Sequence, residues 1–240
     1  MPGLGTLINV VCIVAGGLAG RLFGRAFSGR IQEGLNMACG ISVLFIGIAG
    51  AMAGMLSLAE DGLTSGESML VTLCLVIGAL IGELLNLEGL FVQFGEWLKR
   101  RTGNAGDQRF VGDFVTASLT VCIGAMAVVG SIRDGIFGDW SILATKAVLD
   151  LVIVLTMTCS MGVGCIFSAV PVAIFEGCLT LLARLIRPVM TAAALDNLSL
   201  IGSILIFAVG VNLIWGKKVR VANLLPALVL AVAAAFVPGL

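Results

Sequence analysis

Long apolar runs separated by short polar segments dominate this chain. Runs of about 17–25 residues with few charges are typical of helices that cross a bilayer. Eight such runs occur, at 4–23, 35–58, 69–85, 110–130, 142–164, 168–183, 198–215 and 221–237. The sixth is short and contains Pro171 and Glu176, so a broken or re-entrant helix is the alternative there. The pattern predicts an all-α, polytopic transmembrane helix bundle of about eight spans, or seven plus a re-entrant helix.

One segment between the third and fourth runs has a different pattern. Over 87–101, apolar residues such as Leu90, Phe94 and Trp97 recur at steps of three and four, with Glu96 and Lys99 on the other face. This pattern predicts an interfacial helix on the membrane surface, with Trp97 at headgroup level. Covering the end of a neighbouring helix is the alternative role, and both roles can hold at once.

The composition supports the membrane assignment and excludes several kinds of catalytic and metal site. The chain has 59% apolar and 12% charged residues, and its 14 basic residues balance its 14 acidic ones. Because the charges balance, the chain has no net excess of basic residues that would indicate nucleic-acid binding. The chain has no histidine, which excludes imidazole bases, histidine metal ligands and Ser-His or Cys-His pairs. We expect no enzyme activity, no metal and no cofactor, and we interpret the seven cysteines as reduced core thiols.

Basic residues predict the orientation, because cytoplasmic loops keep Lys and Arg. Ten fall on one side: Arg21, Arg25, Arg30, Lys99, Arg100, Arg101, Arg109, Lys217, Lys218 and Arg220. The other side receives Arg133, Lys146, Arg184 and Arg187, together with Glu60, Asp61 and Glu67. We therefore predict a multi-pass protein surrounded by lipid, with both termini outward. If the sixth run does not cross, the split becomes nine against five and the C-terminus lies inside.

The chain resembles itself at an offset of 110 residues. Between 6–20 and 116–130, six of fifteen positions are identical. A unit of three spans is odd, so its second copy must enter the membrane from the other side, as in many secondary transporters. We predict one membrane domain over 1–240, with repeats at 1–109 and 110–197 and a C-terminal helical hairpin at 198–240. The alternative is that a chain rich in Gly, Ala and Val resembles itself by composition alone.

Polar side chains inside apolar runs need a partner, a cavity or a function, because each is costly in hydrocarbon. Asp150 lies near the centre of the fifth run with Lys146 one turn earlier, and Glu176 lies within the sixth run after Pro171. We predict that these three residues form an ion or proton site; a self-neutralised structural pair, and a proline kink that serves packing alone, are the alternatives. Proline lacks an N–H, so Pro171 should free an upstream carbonyl to act as a ligand or to be satisfied by Ser168.

Three further polar residues are candidates for lining a solute site. They are Asn9 in the first run and Thr116 and Ser118 at the start of the fourth. Amide and hydroxyl groups of this kind can replace the water shell of a small solute or ion. They can equally form interhelical hydrogen bonds. Glu83 and Asp113 lie near the ends of runs, where we expect interfacial solvation.

Pairs of small residues four positions apart recur in several runs. Examples are Gly16 with Gly20, Gly50 with Gly54, and Gly78 with Gly82. Such pairs let helix backbones approach closely. They predict tight helix packing within the chain or the assembly of a homo-oligomer.

Several stretches together resemble one known family, the YqgA-like bacterial membrane proteins, a domain of unknown function. They are the residues at 5–9, 16–17, 81–83, 114–126, 134–135, 146–150 and 220–228. The resemblance spans nearly the whole chain, and 116–126 and 220–228 are its most specific parts. It implies a multi-span inner-membrane protein, often considered a transporter, with no substrate or catalytic residues to carry over. Around 192–200 the chain departs from the family pattern, where a glutamate and glycines are usual.

These features favour a small secondary transporter, an ion-coupled carrier of an unidentified small solute or ion. Asp150, Lys146 and Glu176 would bind the ion, while Asn9, Thr116 and Ser118 would line the solute site. An oligomeric ion channel is the second candidate. A membrane scaffold or sensor module without transport, in which the buried charges only fix helix register, is the third.

Overall fold

The computed structural model describes residues 2–59, 62–104, 106–122 and 125–237. Its α-helices are α1 (Leu4–Ala26), α2 (Gly29–Met55), α3 (Ser68–Leu85), α4 (Leu87–Arg101), α5 (Phe110–Cys122), α6 (Ala125–Phe137), α7 (Ser141–Ser160), α8 (Ala169–Leu181), α9 (Ala183–Ile186), α10 (Ala192–Trp215) and α11 (Pro226–Ala234). Short 3-10 helices, Val163–Ser168 and Val221–Leu224, precede α8 and α11. Strands β1 (Leu56–Ala59) and β2 (Gly62–Ser65) form an antiparallel pair that joins α2 to α3, with Leu56 opposite Ser65. Glu60 and Asp61 lie outside the described residues.

Fewer helices can cross a membrane than the eight predicted. Within the described ranges, six helical segments are long and apolar enough, and the bent pair α5 and α6 makes up to seven. The described residues therefore support a polytopic helical bundle with six or seven candidate spans, against about eight predicted, or seven plus a re-entrant helix. The sixth run, for which a broken helix was the alternative, belongs to a 19-residue helical segment, Val163–Leu181, which passes the length and composition test. The protein is a polytopic helical membrane protein.

Two predicted spans differ from the structure for identifiable reasons. The run at 110–130 divides between α5 and α6, which are inclined to each other by 62°. The run at 221–237 contains only the 3-10 helix and α11, which begins at Pro226 and is 9 residues long. At 1.5 Å per residue α11 measures about 14 Å, roughly half of a hydrocarbon core. Hydropathy measures how apolar a run is, but not whether its helix is straight or continuous.

Local capping residues set several helix boundaries. Asn86 adopts a left-handed conformation (φ 49°), ends α3, and accepts a hydrogen bond from the Gly89 N–H at 3.3 Å to begin α4. Thr191 caps α10 by accepting from the Ala194 N–H at 3.2 Å. As a result α10 begins before the expected boundary at 197–198, which falls inside this helix. The amphipathic segment forms α4, with Trp97 on its exposed side.

Glycines bring α1 and α7 into backbone contact. The close pairs are Gly5 with Leu143, Gly16 with Leu151, Gly20 with Leu155 and Gly24 with Cys159. Because residue numbers rise together along both helices, α1 and α7 run parallel. A Cβ on Gly16 would lie 2.4 Å from the Leu151 carbonyl oxygen, so only glycine allows this approach. Two helices far apart in sequence therefore cross the membrane in the same direction.

A second glycine-packed pair, α2 and α10, runs antiparallel. Its contacts are Gly40 with Ile214, Gly47 with Phe207, Gly50 with Ser203 and Gly54 with Leu200. On α3, Gly78 and Gly82 pack against Ala227 and Asn223 in the same antiparallel sense. The small-residue pairs noted in the sequence thus serve contacts within one chain.

The chain connections give the bundle two distinct ends. One end, which we call the basic end, holds the end of α1, the start of α2, α4, the start of α5, the end of α7 and the end of α10. The segments carrying the ten basic residues assigned to one side all meet here. The opposite end, which we call the Asp134 end, holds the start of α1, the end of α6 and the end of α8. Large apolar side chains such as Leu84, Leu181 and Leu185 remain exposed on the outside, as a lipid-facing surface requires.

The cysteines are only partly core residues. All seven are free thiols. Cys39, Cys74, Cys159 and Cys165 are buried, but Cys12 and Cys122 are half-buried and Cys178 is exposed. The interpretation of all seven as core residues is therefore wrong for Cys178.

Candidate functional site

Four of the six candidate polar residues meet where α1, α7 and α8 pack together. The Lys146 ammonium on α7 contacts the Asp150 carboxylate one turn along and lies 3.4 Å from Oε1 of Glu176 on α8. The Asn9 side chain on α1 donates to the same Glu176 Oε1 at 2.8 Å. We call this group, Asn9, Lys146, Asp150 and Glu176, the charged cluster.

The charged cluster is almost completely enclosed. Exposed fractions are 0% for Asn9, 6% for Lys146, 4% for Asp150 and 1% for Glu176. Charged groups this deep in a membrane protein need close partners, because the surroundings screen them poorly. Each charge of the cluster has an opposite charge in contact, so the group holds together as a unit.

The break between α5 and α6 contributes a further ligand to Lys146. Its ammonium donates to the backbone carbonyl of Val121 at 2.8 Å, one residue before α5 ends at Cys122. Carbonyls in the last turn of a helix have no partner further along that helix, so they are free to accept from side chains. The Cys122 thiol is a further titratable group within electrostatic reach of the cluster.

Pro171 belongs to the helix that carries Glu176. It lies in the first turn of α8, where a backbone N–H has no intrahelical acceptor anyway. The Ser168 hydroxyl donates to the upstream Cys165 carbonyl at 2.7 Å. Glu176 lies within α8, five residues after Pro171.

Thr116 and Ser118 do not join the charged cluster. The Thr116 hydroxyl donates to the Gly112 carbonyl of its own helix at 2.8 Å, and the residue lines a cavity at the basic end. Ser118 is fully buried, and its hydroxyl has no hydrogen-bond partner among the residues that the structure describes. The sequence placed both on the same helix as Val121 but could not tell which side each faces.

The cavity at the basic end measures about 510 Å³ and mixes charges of both signs. Glu88 pairs with Lys217 at its rim. Asp113 is only 5% exposed and lies against Gly162, so the expected interfacial solvation is wrong for this residue. Glu83, by contrast, is half exposed and pairs with Arg220 at 2.9 Å, which fits an interfacial position.

Sequence reasoning missed three polar residues close to the cluster. Thr6 on α1 and Thr180 on α8 place their hydroxyl oxygens 3.4 Å apart. Asp134 on α6 is fully buried and its Oδ2 accepts the N–H groups of Gly3 at 3.1 Å and Gly5 at 2.9 Å. The spacings were visible, because Thr6 is three residues before Asn9 and Thr180 four after Glu176. Each of these pairs shares one helix face.

The fold and the buried cluster define the class: a multi-pass helical membrane protein with ionisable groups enclosed within its bundle. The chain belongs to the family described as "Protein of unknown function (DUF554)", whose model matches residues 4–236. This confirms the resemblance seen in the sequence.

Two relatives match nearly end to end. The "Uncharacterized membrane protein YdfK" of Bacillus subtilis (strain 168) is 25% identical over 97% of this chain and 96% of its own length. The "Uncharacterized protein YqgA" of Escherichia coli (strain K12) is 29% identical over 95% of this chain and 94% of its own length. No solved structure matches the chain.

Proposed function

We propose that the protein is an ion-coupled secondary transporter of the bacterial inner membrane, and that the charged cluster binds its coupling ion. The observation that carries this proposal is the sharing of one ammonium, Lys146, between two buried carboxylates, Asp150 and Glu176. With all three groups ionised, two negative charges face one positive charge. The enclosed site then has a net charge of −1.

A net charge buried in a bundle is unfavourable, so a bound proton or monovalent cation would stabilise the cluster. Two buried oxygens are available to such an ion. Oε2 of Glu176 and Oδ1 of Asn9 have no hydrogen-bond partner within the described part of the chain. Carboxylate and amide oxygens are the ligands that hard cations prefer.

Coupling follows from linkage between the ion and the solute. If the solute binds one conformation of the bundle more tightly when the cluster is neutral, ion binding favours solute binding by the same factor in return. The proton or cation gradient can then drive the solute. A cluster between α1 and the pair α7 and α8 suits this role, because relative movement of these helices would alter its contacts.

The helix directions support the inverted repeat as part of the same proposal. The start of α1 lies beside the end of α6, and Gly17 in its second half contacts Ile166, close to the start of α5. Hence α1 and the α5 and α6 pair run in opposite directions, as two inverted copies would. In this scheme Asn9 comes from the first repeat and the three charged residues from the second, with α10 and α11 as the C-terminal hairpin. The site then lies where the repeats meet.

Reconstituted protein can test the coupling directly. We would record currents on solid-supported membranes after challenge with a panel of small ions and metabolites at two pH values. We expect a saturating current that changes with pH or Na⁺ in the wild type. Asp150→Asn and Glu176→Gln should remove that dependence, whereas Glu83→Gln, which changes an exposed carboxylate, should retain it.

Two results would overturn the proposal. Currents that rise linearly with solute and ignore both pH and Na⁺ would favour a channel. Folded protein that is silent across the panel, with a cluster that takes up neither protons nor Na⁺, would favour a scaffold.

A further inference from the structure

Polar contacts continue from the charged cluster along the interface of α1 and α8 in one direction only. Moving toward the Asp134 end, the bond between Asn9 and Glu176 is followed one turn away by the hydroxyl pair of Thr6 and Thr180. Thr6 is 9% exposed and Thr180 7% exposed, so both hydroxyls are enclosed. Two polar contacts, one turn apart, thus lie in a line along one helix interface.

Asp134 terminates this line. Its Oδ2 accepts from the backbone at Gly5, the residue next to Thr6. The neighbouring Gly135 brings α6 against α8, since a Cβ there would lie 2.3 Å from the Thr180 carbonyl oxygen. Asp134 is thus held beside the α1 turn that carries Thr6, and its neighbour Gly135 packs against the α8 turn that carries Thr180.

Among the described residues, Asp134 has no ion-pair partner. Arg133, which could neutralise Asp134, pairs instead with Asp139 at 2.8 Å. Hydrogen bonds from the Ser141 hydroxyl and N–H, together with Arg133, lower the pKa of Asp139, so this pair stays ionised. The facing α1 terminus contributes N–H groups rather than a side-chain charge to Asp134.

Buried oxygens that have no hydrogen-bond partner among the described residues lie at both ends of the line. They are Oδ1 of Asp134 at one end and Oε2 of Glu176 at the other, and the buried Ser131 hydroxyl is one turn before Asp134. Buried polar atoms in native proteins are nearly always bonded to protein or to ordered water. Three such atoms along one line indicate a hydrated path.

Toward the basic end, the same helices are apolar. One turn beyond Asn9 is Ile13, one turn beyond Asp150 is Val154, and one turn from Glu176 is Val172, each with 0% exposure. On these three helices, the described side chains one turn beyond the cluster in this direction offer a proton or ion no polar group. The polar contacts that α1 and α8 make with the cluster therefore lead toward the Asp134 end.

We propose that protons reach Glu176 from the Asp134 end through the Thr6 and Thr180 hydroxyls, with Asp134 as the first acceptor. The proposal rests on the proposed function, in which the cluster takes up a proton or cation. Each hydroxyl can accept a proton on one side while it donates its own on the other, so no charge has to stay on the threonines. The groups that face Glu176 as it titrates are Lys146, Asp150 and the Cys122 thiol.

Infrared spectroscopy of the protein in bilayers tests this route. The carboxyl band of Glu176 is identified by its loss in Glu176→Gln, and its hydrogen–deuterium exchange is followed after transfer to D₂O. We expect the double variant Thr6→Val/Thr180→Val to slow this exchange by about a hundredfold, the scale of losing one positioned proton-transfer group. Its pH midpoint should stay unchanged, because the charges of the cluster remain.

Two control variants distinguish an effect on the proton path from an effect on folding. Thr6→Ser/Thr180→Ser keeps both hydroxyls and should exchange at the wild-type rate. Thr158→Val removes a buried hydroxyl from α7 beyond the apolar layer, at the basic end, and should also leave exchange unchanged.

The outcomes distinguish the route from the function. Wild-type exchange in Thr6→Val/Thr180→Val would overturn the route while leaving the ion site intact. A slowing by Thr158→Val equal to that of the double variant would also overturn it. A cluster whose carboxyl bands respond neither to pH nor to Na⁺ in the wild type would instead overturn the proposed function.

Discussion

Two helix interfaces are packed through glycines in the same way but differ in the polar residues that they contain. The α1 and α7 pair and the α2 and α10 pair both rely on glycines that leave no room for a Cβ. The first lies beside α8 and encloses the charged cluster, whereas the described residues of the second give it no ion pair. Close packing is therefore common to both interfaces, whereas the buried ion pairs belong to the first of the two.

The largest expected effect follows from removing the cation of the cluster. Lys146→Met leaves Asp150 and Glu176 without their shared counter-charge, which should destabilise the fold by about 3–5 kcal/mol. Thermal unfolding in detergent would show this loss. Combining the change with Asp150→Asn and Glu176→Gln should restore most of the stability, because no uncompensated charge remains. If the triple variant does not regain stability, the unpaired carboxylates are not the cause of the loss.

Substituting one asparagine at each interface compares the two interfaces directly. Asn9 donates to the Glu176 carboxylate at 2.8 Å, and Asn36 on α2 donates to the Leu213 carbonyl at 3.0 Å. Hydrogen bonds to charged groups contribute about 1.5–3 kcal/mol and neutral ones about 1 kcal/mol. We expect Asn9→Leu to lower the unfolding temperature more than Asn36→Leu. Equal effects would argue that Glu176 carries no charge in the folded protein.

Glycine substitutions test whether close backbone packing stabilises both interfaces to a similar extent. A Cβ on Gly20 would lie 2.4 Å from the Leu155 carbonyl oxygen, and one on Gly47 would lie 2.5 Å from the Phe207 amide nitrogen. Both contacts are with backbone, which cannot rotate away. Gly20→Ala and Gly47→Ala should each cost about 1–3 kcal/mol.

The matched control lies on the same helix as Gly47. Within the described part of the chain, a Cβ on Gly34 would have no neighbouring atom within 4 Å, so Gly34→Ala should not reduce stability. A loss there as large as that at Gly47 would mean that close packing does not set the effect, because alanine favours the helix more than glycine does.

The smallest effect is expected at the surface. Glu83 and Arg220 form a half-exposed ion pair, and such pairs add little to stability because water and salt screen them. Glu83→Gln should leave the unfolding temperature within experimental error at high and low salt. A marked fall would show that this end of α3 is more enclosed than its exposure indicates.

The fold was predictable where physical constraints are local. Placing polar residues in a bilayer is costly, so membrane helices consist of apolar runs, and this identified the apolar helices. The three- and four-residue spacing predicted the helix at 87–101, which the structure has as Leu87–Arg101. The bend between α5 and α6, the short α11 and the β hairpin were not predictable from hydropathy. The bend and the β1 to β2 pairing depend on contacts that a one-dimensional pattern does not contain.

The same distinction applies to the site. The cost of burying a charge marked Asp150, Lys146 and Glu176 as candidates, and the structure brings them into contact with Asn9. Which partner each would find depended on how α1 packs against α7 and α8. Thr6, Thr180 and Asp134 gave no comparable signal, because hydroxyls are common in membrane helices and Asp134 is near the end of its helix.

The most direct test of the central claim measures ion binding to the cluster without knowledge of the solute. On solid-supported membranes, a pH or Na⁺ jump with no solute present should produce a transient charge displacement in the wild type and in Glu83→Gln. The displacement should be absent in Asp150→Asn/Glu176→Gln. An identical displacement in that double variant, or none in the folded wild type, would contradict the account.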